Sequence, residues 1–209
     1  MATNQQTDNL AKALHSFLGE TRVVYDLASV LLSRDHEARV SYQIIEQIAE
    51  DAEEVLLLGY KWRVLVPART STTVDWENSI MLFKEGETYK LPAIVVRLVE
   101  DAACSCLWRT ERAITTFFHA VEEPAWEQMA DMVRKMYRAA SFQRINGAQI
   151  AQIANEMGLP ERTDPLITEF KGAGIMHPKP SLVTEMIRVK APIYELNPSI
   201  FAEKQSHEL

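Results

Sequence analysis

INGAQIAQIANEMGLPERTDPLITEFKGAGIMHPK, residues 145–179, decides the fold. Asn146 stands where a helix needs an N-cap, because its side chain can accept from a backbone N–H of the first turn. Ile150, Ala151, Ile153, Ala154 and Met157 then recur at helical spacing on one face, which predicts a helix over 147–157. Gly158 supplies a C-terminal stop and Pro160 blocks continuation. Thr163 or Asp164 is expected to cap a second helix with Pro165 in its first turn. That helix would bury Leu166, Ile167, Phe170 and Ala173 and turn Asp164, Thr168 and Lys171 outward. Gly172 and Gly174 are expected to end it, Ile175-Met176 to open a strand, and APIYEL, 191–196, to pair with that strand.

Upstream, Pro124 starts a further helix lined by Trp126, Met129, Met132, Val133 and Met136. Helix, helix, turn, helix and a two-stranded ribbon, over about 127–201, resemble the winged helix-turn-helix family. The resemblance implies that the helix from Pro165 enters the major groove and that the ribbon touches the backbone. Carried onto this chain, Arg162, Thr163, Thr168 and Lys171 would meet bases or phosphates, and Lys179, Arg188 and Lys190 would be wing contacts. The wing departs from the family pattern. KPSLVTEMIRVK, 179–190, carries Leu182, Val183, Met186 and Ile187, which suit a short helix or a partner contact. Glu169 also counts against DNA.

Residues 41–69 read either as simple helix plus strand or as a degenerate second copy. Ser41 precedes a striped helix as Asn146 does, Asp51 caps the next, and Pro67 matches Pro178. Its third helix, DAEEVLLLGY, offers Glu53 and Glu54 to solvent, and Val55–Leu58 point round it, so most of it should be buried. That copy is assigned to core, dimer contact or a partner protein. Earlier still, residues 5–33 form two helices parted near Gly19-Glu20-Thr21. Trp62–Pro67 and Ser79–Tyr89 have strand composition, Pro92 opens a helix to about Cys106, and 108–121 continues helical.

The expected fold is therefore mainly α with small β-ribbons: tandem winged-helix-like domains joined by helices 92–139. The boundary is expected near Glu122-Glu123-Pro124, giving a dimerisation or sensing domain over 1–123 and a winged helix-turn-helix over 124–203. The tail from Glu203 is polar and expected to fray.

Composition sets the function classes. The chain has 209 residues, 47% hydrophobic and 24% charged, with a net charge of −7. A uniformly acidic surface would repel a polyanion. The excess lies in the first 126 residues, however, while 134–190 hold Arg134, Lys135, Arg138, Arg144, Arg162, Lys171, Lys179, Arg188 and Lys190 against five acidic residues. No signal peptide or bilayer-length apolar run is evident, so the chain reads as cytoplasmic and not membrane-bound.

Cys104 and Cys106 lack the second ligand pair that zinc needs and read as buried structural thiols. Arg69, Thr70, Ser71 and Thr72 form a candidate anion site or simply a hydroxyl-rich loop. Phosphate-binding and nucleophile-elbow motifs are missing, so neither catalysis nor a metal or cofactor is expected. Besides an enzyme or small-molecule sensor built around Arg69–Thr73, the least supported reading, two functions stay open. One is a dimeric, DNA-binding transcriptional regulator that contacts double-stranded DNA through its C-terminal unit. The other is a protein–protein adaptor that uses winged-helix modules without DNA.

Overall fold

The computed structural model describes residues 3–19, 22–68, 83–179 and 191–200. The first half runs α1 (Asn4–Leu18), α2 (Val24–Leu32), β1 (Arg39–Ser41), α3 (Tyr42–Ile48), α4 (Ala52–Lys61), β2 (Val66–Pro67) and β3 (Thr88–Lys90). The single helix α5 (Ala93–Ser105) follows. The second half repeats the series: α6 (Thr110–Ala120), α7 (Trp126–Ala139), β4 (Arg144–Asn146), α8 (Gly147–Glu156), α9 (Thr163–Ala173), β5 (Met176–Lys179) and β6 (Ile193–Leu196). The protein is mainly α with two small antiparallel sheets, ordered β1-β3-β2 and β4-β6-β5.

The duplication extends to individual hydrogen bonds. Tyr89 lies opposite Val40 and Pro67, and Tyr194 lies opposite Ile145 and Pro178. Ser41 caps α3 and Asn146 caps α8, the latter in a full capping box with Gln149. Tyr42 N–H donates to Glu87 O at 3.0 Å, as Gly147 N–H does to Pro192 O at 2.9 Å. Leu91 N–H donates to the carbonyl of Ala38 (φ 59°), as Leu196 N–H does to that of Gln143 (φ 60°). The end of α4 at Arg63 (φ 54°) matches the end of α9 at Gly174 (φ 75°). On α2, Val24, Leu27, Ala28 and Leu31 are buried, and on α7 Met129, Met132, Val133 and Met136 occupy the same places. Because α6 packs on α7 as α1 packs on α2, the second repeat begins at Thr110, ahead of the boundary expected at Glu122–Pro124.

Several local expectations need correction. No side chain caps α9: a 3-10 turn, Pro160–Arg162, runs directly into it, and the Thr163 hydroxyl donates back to Pro160 O at 3.0 Å. Gly172 lies inside α9, and Gly174 alone terminates it. Of Trp62–Pro67 only Val66–Pro67 pairs as strand. The preceding residues turn, with Val64 and Leu65 N–H both donating to Gly59 O. From Ser79–Tyr89, Thr88 and Tyr89 join β3 and Gly86 (φ 85°) makes the turn, while 79–82 lie outside the described residues. The tail from Glu203 lies outside them too.

One continuous core runs through both repeats, from Leu10 to Ile200. At their junction the Arg63 guanidinium meets the Glu195 carboxylate at 3.0 Å, with both side chains only 9% exposed. The Asn197 amide donates to the carbonyls of Arg63 and Gly174, one from each repeat. The Trp108 indole donates to Ser199 O at 2.9 Å. Cys104 is exposed and Cys106 half-buried, with its thiol donating to Asn9 Oδ1. The expectation of two buried thiols fails because Cys104 falls on the solvent side of α5 and Cys106 ends that helix in a left-handed turn (φ 60°). Among the described residues no helix is long and apolar enough to cross a membrane.

Candidate functional site

Helix α9 is held from beneath. Leu166, Phe170 and Ala173 are fully buried, and the Phe170 ring meets Phe118 of α6 edge-on at 5.5 Å between centroids. Ile167 is half-buried against the same core. The helical period leaves a solvent stripe of Glu161, Asp164, Pro165, Thr168, Lys171 and Gly172. The outward placing of Asp164, Thr168 and Lys171 was legible in the spacing. The stripe nevertheless carries two carboxylates in its N-terminal half and one lysine near its far end.

Arg162 is withdrawn from that surface. Its guanidinium binds the fully buried Glu123 carboxylate and reaches Glu169 at 3.4 Å. Glu123 is itself fixed by the Ala125 N–H at 3.1 Å. Burial pushes the Glu169 carboxyl up to about 7, reinforced by its hydrogen bond to and repulsion from Glu123 and opposed by Arg162. This cluster ties α9 to the connection between α6 and α7, so Arg162 serves the interior where the sequence suggested a base or phosphate contact.

The cluster makes a pH-dependent contribution. Glu169 in the folded chain holds its proton to about pH 7, against an ordinary value of 4.5. Its contribution to stability is complete below that ordinary value and is lost as pH rises toward 7, at no more than about 1.4 kcal/mol per pH unit. Thermal melts between pH 5 and 7.5 are expected to fall less steeply for Glu169→Gln than for the wild type. Equal slopes would exclude this role.

Of the other sequence-derived residues, those that the structure describes are placed as follows. The Thr163 and Thr168 hydroxyls are spent on the carbonyls of Pro160 and Asp164. Lys171 is exposed, and Lys179 is half-buried at the end of β5. Arg134 pairs with Glu111 and Asp131, and Lys135 pairs with Asp131 at 3.8 Å. Arg188 and Lys190 lie outside the described residues, as does the candidate anion loop Arg69, Thr70, Ser71 and Thr72.

The equivalent helix of the first repeat, α4, is capped by Asp51, whose carboxylate accepts from Glu54 N–H at 2.9 Å. Val55 and Leu56 are buried as expected, but Leu57 is 55% exposed. It shares the outward stripe of Glu53, Glu54 and Lys61, at the position that Thr168 takes in α9. Sequence reasoning passed over Arg63, Glu195 and Glu123. The first two had a signal, each being a lone charge inside an apolar run, WRVLVP and APIYEL.

No curated protein and no solved structure matches the chain. A protein-family model matches residues 10–205, both repeats included, and the chain belongs to that family.

Proposed function

We propose that each repeat is a winged helix-turn-helix module and that the chain is a protein–protein adaptor working without duplex DNA. The observation that carries this is the outward stripe of α9. A recognition helix brings its N-terminal residues to the base edges. Here those residues are Glu161 and Asp164, and the arginine beside them is bound to Glu123 and Glu169. Two carboxylates at the entering end oppose phosphate approach. The corresponding stripe of α4 presents Glu53, Glu54 and an exposed Leu57, a surface suited to a protein and hostile to a polyanion. The joint through Arg63, Glu195 and Asn197 fixes the two stripes relative to each other, which is what an adaptor requires. The contrary reading, a DNA-binding transcriptional regulator, rests on Lys171 and Lys179 together with Arg188 and Lys190 of the wing.

Fluorescence anisotropy with a labelled duplex separates the two. At about 50 mM salt a non-specific DNA binder saturates at micromolar protein or below. The full chain is expected to give no saturable signal up to about 100 µM. Saturable binding whose salt slope falls by about one unit in Lys171→Ala would restore the regulator.

A further inference from the structure

The first turn of α9 and the 3-10 turn before it, residues 160–165, are lightly held. Pro160, Glu161, Asp164 and Pro165 are exposed, Arg162 and Thr163 are half-buried, and the first fully buried residue is Leu166. No side chain caps the helix, and the Thr163 hydroxyl bonds within the segment, to Pro160 O. Among the described residues, the segment's side-chain link to the rest of the chain is the Arg162 guanidinium, which meets Glu123 between α6 and α7.

The charges at this link are uneven. Glu123 is fully buried, and Glu169, on the same helix side as Arg162, is hydrogen-bonded to it while 3.4 Å from the guanidinium. Glu169 Oε2 is buried and accepts from no donor among the described residues. Two carboxylates therefore share one guanidinium. With a proton on Glu169, the helix side sets one positive charge against the negative charge of Glu123, and the Glu169 carboxyl donates to Glu123 besides. With that proton gone, the helix side is neutral, Glu169 repels Glu123, and the attraction across the joint largely cancels.

Glu123 and Arg162 are the charged groups that act on Glu169. Of the other titratable groups on the elements around it, His119 at the end of α6 is exposed with its ring on Trp126, Glu156 of α8 bonds Gln152, and Arg97 of α5 pairs with Glu100. His177 and Lys179 of β5 are half-buried, and Glu161, Asp164 and Lys171 are exposed to screening by water.

We propose that residues 160–165 form a proton-controlled latch, closed while Glu169 and Glu123 share a proton and opened when that proton leaves, with the rest of α9 kept in place by Leu166, Phe170 and Ala173. Opening moves Glu161 and Asp164, the entering end of the outward stripe. The effect on a partner rests on the adaptor reading, whereas the latch itself does not.

Amide exchange and carbon NMR of the full chain between about pH 5 and 8 test the latch with no partner present. The Arg162 and Thr163 amides close the 3-10 turn on Leu159 O and Pro160 O. Their protection, corrected for the intrinsic base-catalysed rate, should fall about 30-fold from pH 5 to 7 and level off above, since opening gains at most about tenfold per pH unit. The Glu169 carboxyl carbon should titrate at about 7. Glu169→Gln keeps a neutral donor to Glu123 and should hold the latch closed throughout, while His119→Gln should leave the transition unchanged. Protection that ignores pH, a fall that survives in Glu169→Gln or vanishes in His119→Gln, or a Glu169 carboxyl that titrates at its ordinary 4.5 would overturn the proposal.

Discussion

Glu195→Ala is expected to destabilise the protein by about 3–5 kcal/mol, read as a shift in the midpoint of chemical denaturation. The carboxylate sits on β6 of the second repeat and the guanidinium follows α4 of the first. Arg63 also donates to Tyr60 O at 2.7 Å and lies 4.3 Å from the Tyr60 ring centroid. Removing Glu195 takes away the carboxylate that a guanidinium only 9% exposed meets at 3.0 Å, and breaking a buried pair from one side is strongly destabilising. Replacing both partners, Arg63→Met with Glu195→Leu, should recover most of it, since the buried guanidinium and carboxylate are then both removed. If the double variant were as unstable as the single one, the cost would lie in packing and not in the charge.

Gly174→Ala is expected to cost about 3 kcal/mol. A left-handed backbone costs a non-glycine residue about 1–2 kcal/mol, and crowding a packed site adds about 1–3 kcal/mol. Gly174 has φ 75°, and a Cβ there would fall 2.4 Å from Cβ of Pro92. Gly158 provides the control. It has the same φ of 75° and nothing within 4 Å of a built Cβ, so Gly158→Ala should show the backbone cost alone, about 1–2 kcal/mol. Equal losses at the two sites would mean that the helix end and Pro92 move apart freely, and that the repeats are not tightly joined there. The equivalent position in the first repeat is Arg63. The first substitution thus removes the partner of Arg63 at the end of α4, and the second alters the matching residue at the end of α9.

Much of the fold that depends on neighbours in sequence was legible beforehand. The Asn146 cap, the Gly158 and Pro160 stop, the stripe of α9 and the equivalence of Pro67 with Pro178 all follow from short-range rules. The full extent of the duplication did not show. Val24, Leu27, Ala28 and Leu31 share a spacing with the buried residues of α7 but not one identity, and the 3-10 turn at Pro160–Arg162 has no equivalent between α3 and α4, so the alignment shifts there. Strands of two to four residues are too short for a period of two to register. Arg162 pointed toward DNA through the family resemblance, because its partner Glu123 belongs to another segment and neither that pattern nor spacing says anything of such partners. The same distance in sequence hid Arg63–Glu195.

The most direct test is an amide chemical-shift titration of the isotope-labelled full chain with duplex DNA at about 50 mM salt, where any electrostatic contact is near its strongest. The amides of 161–172 should stay unmoved. Saturating shifts concentrated between Thr163 and Lys171 would place that helix in a groove, and the adaptor reading would fail.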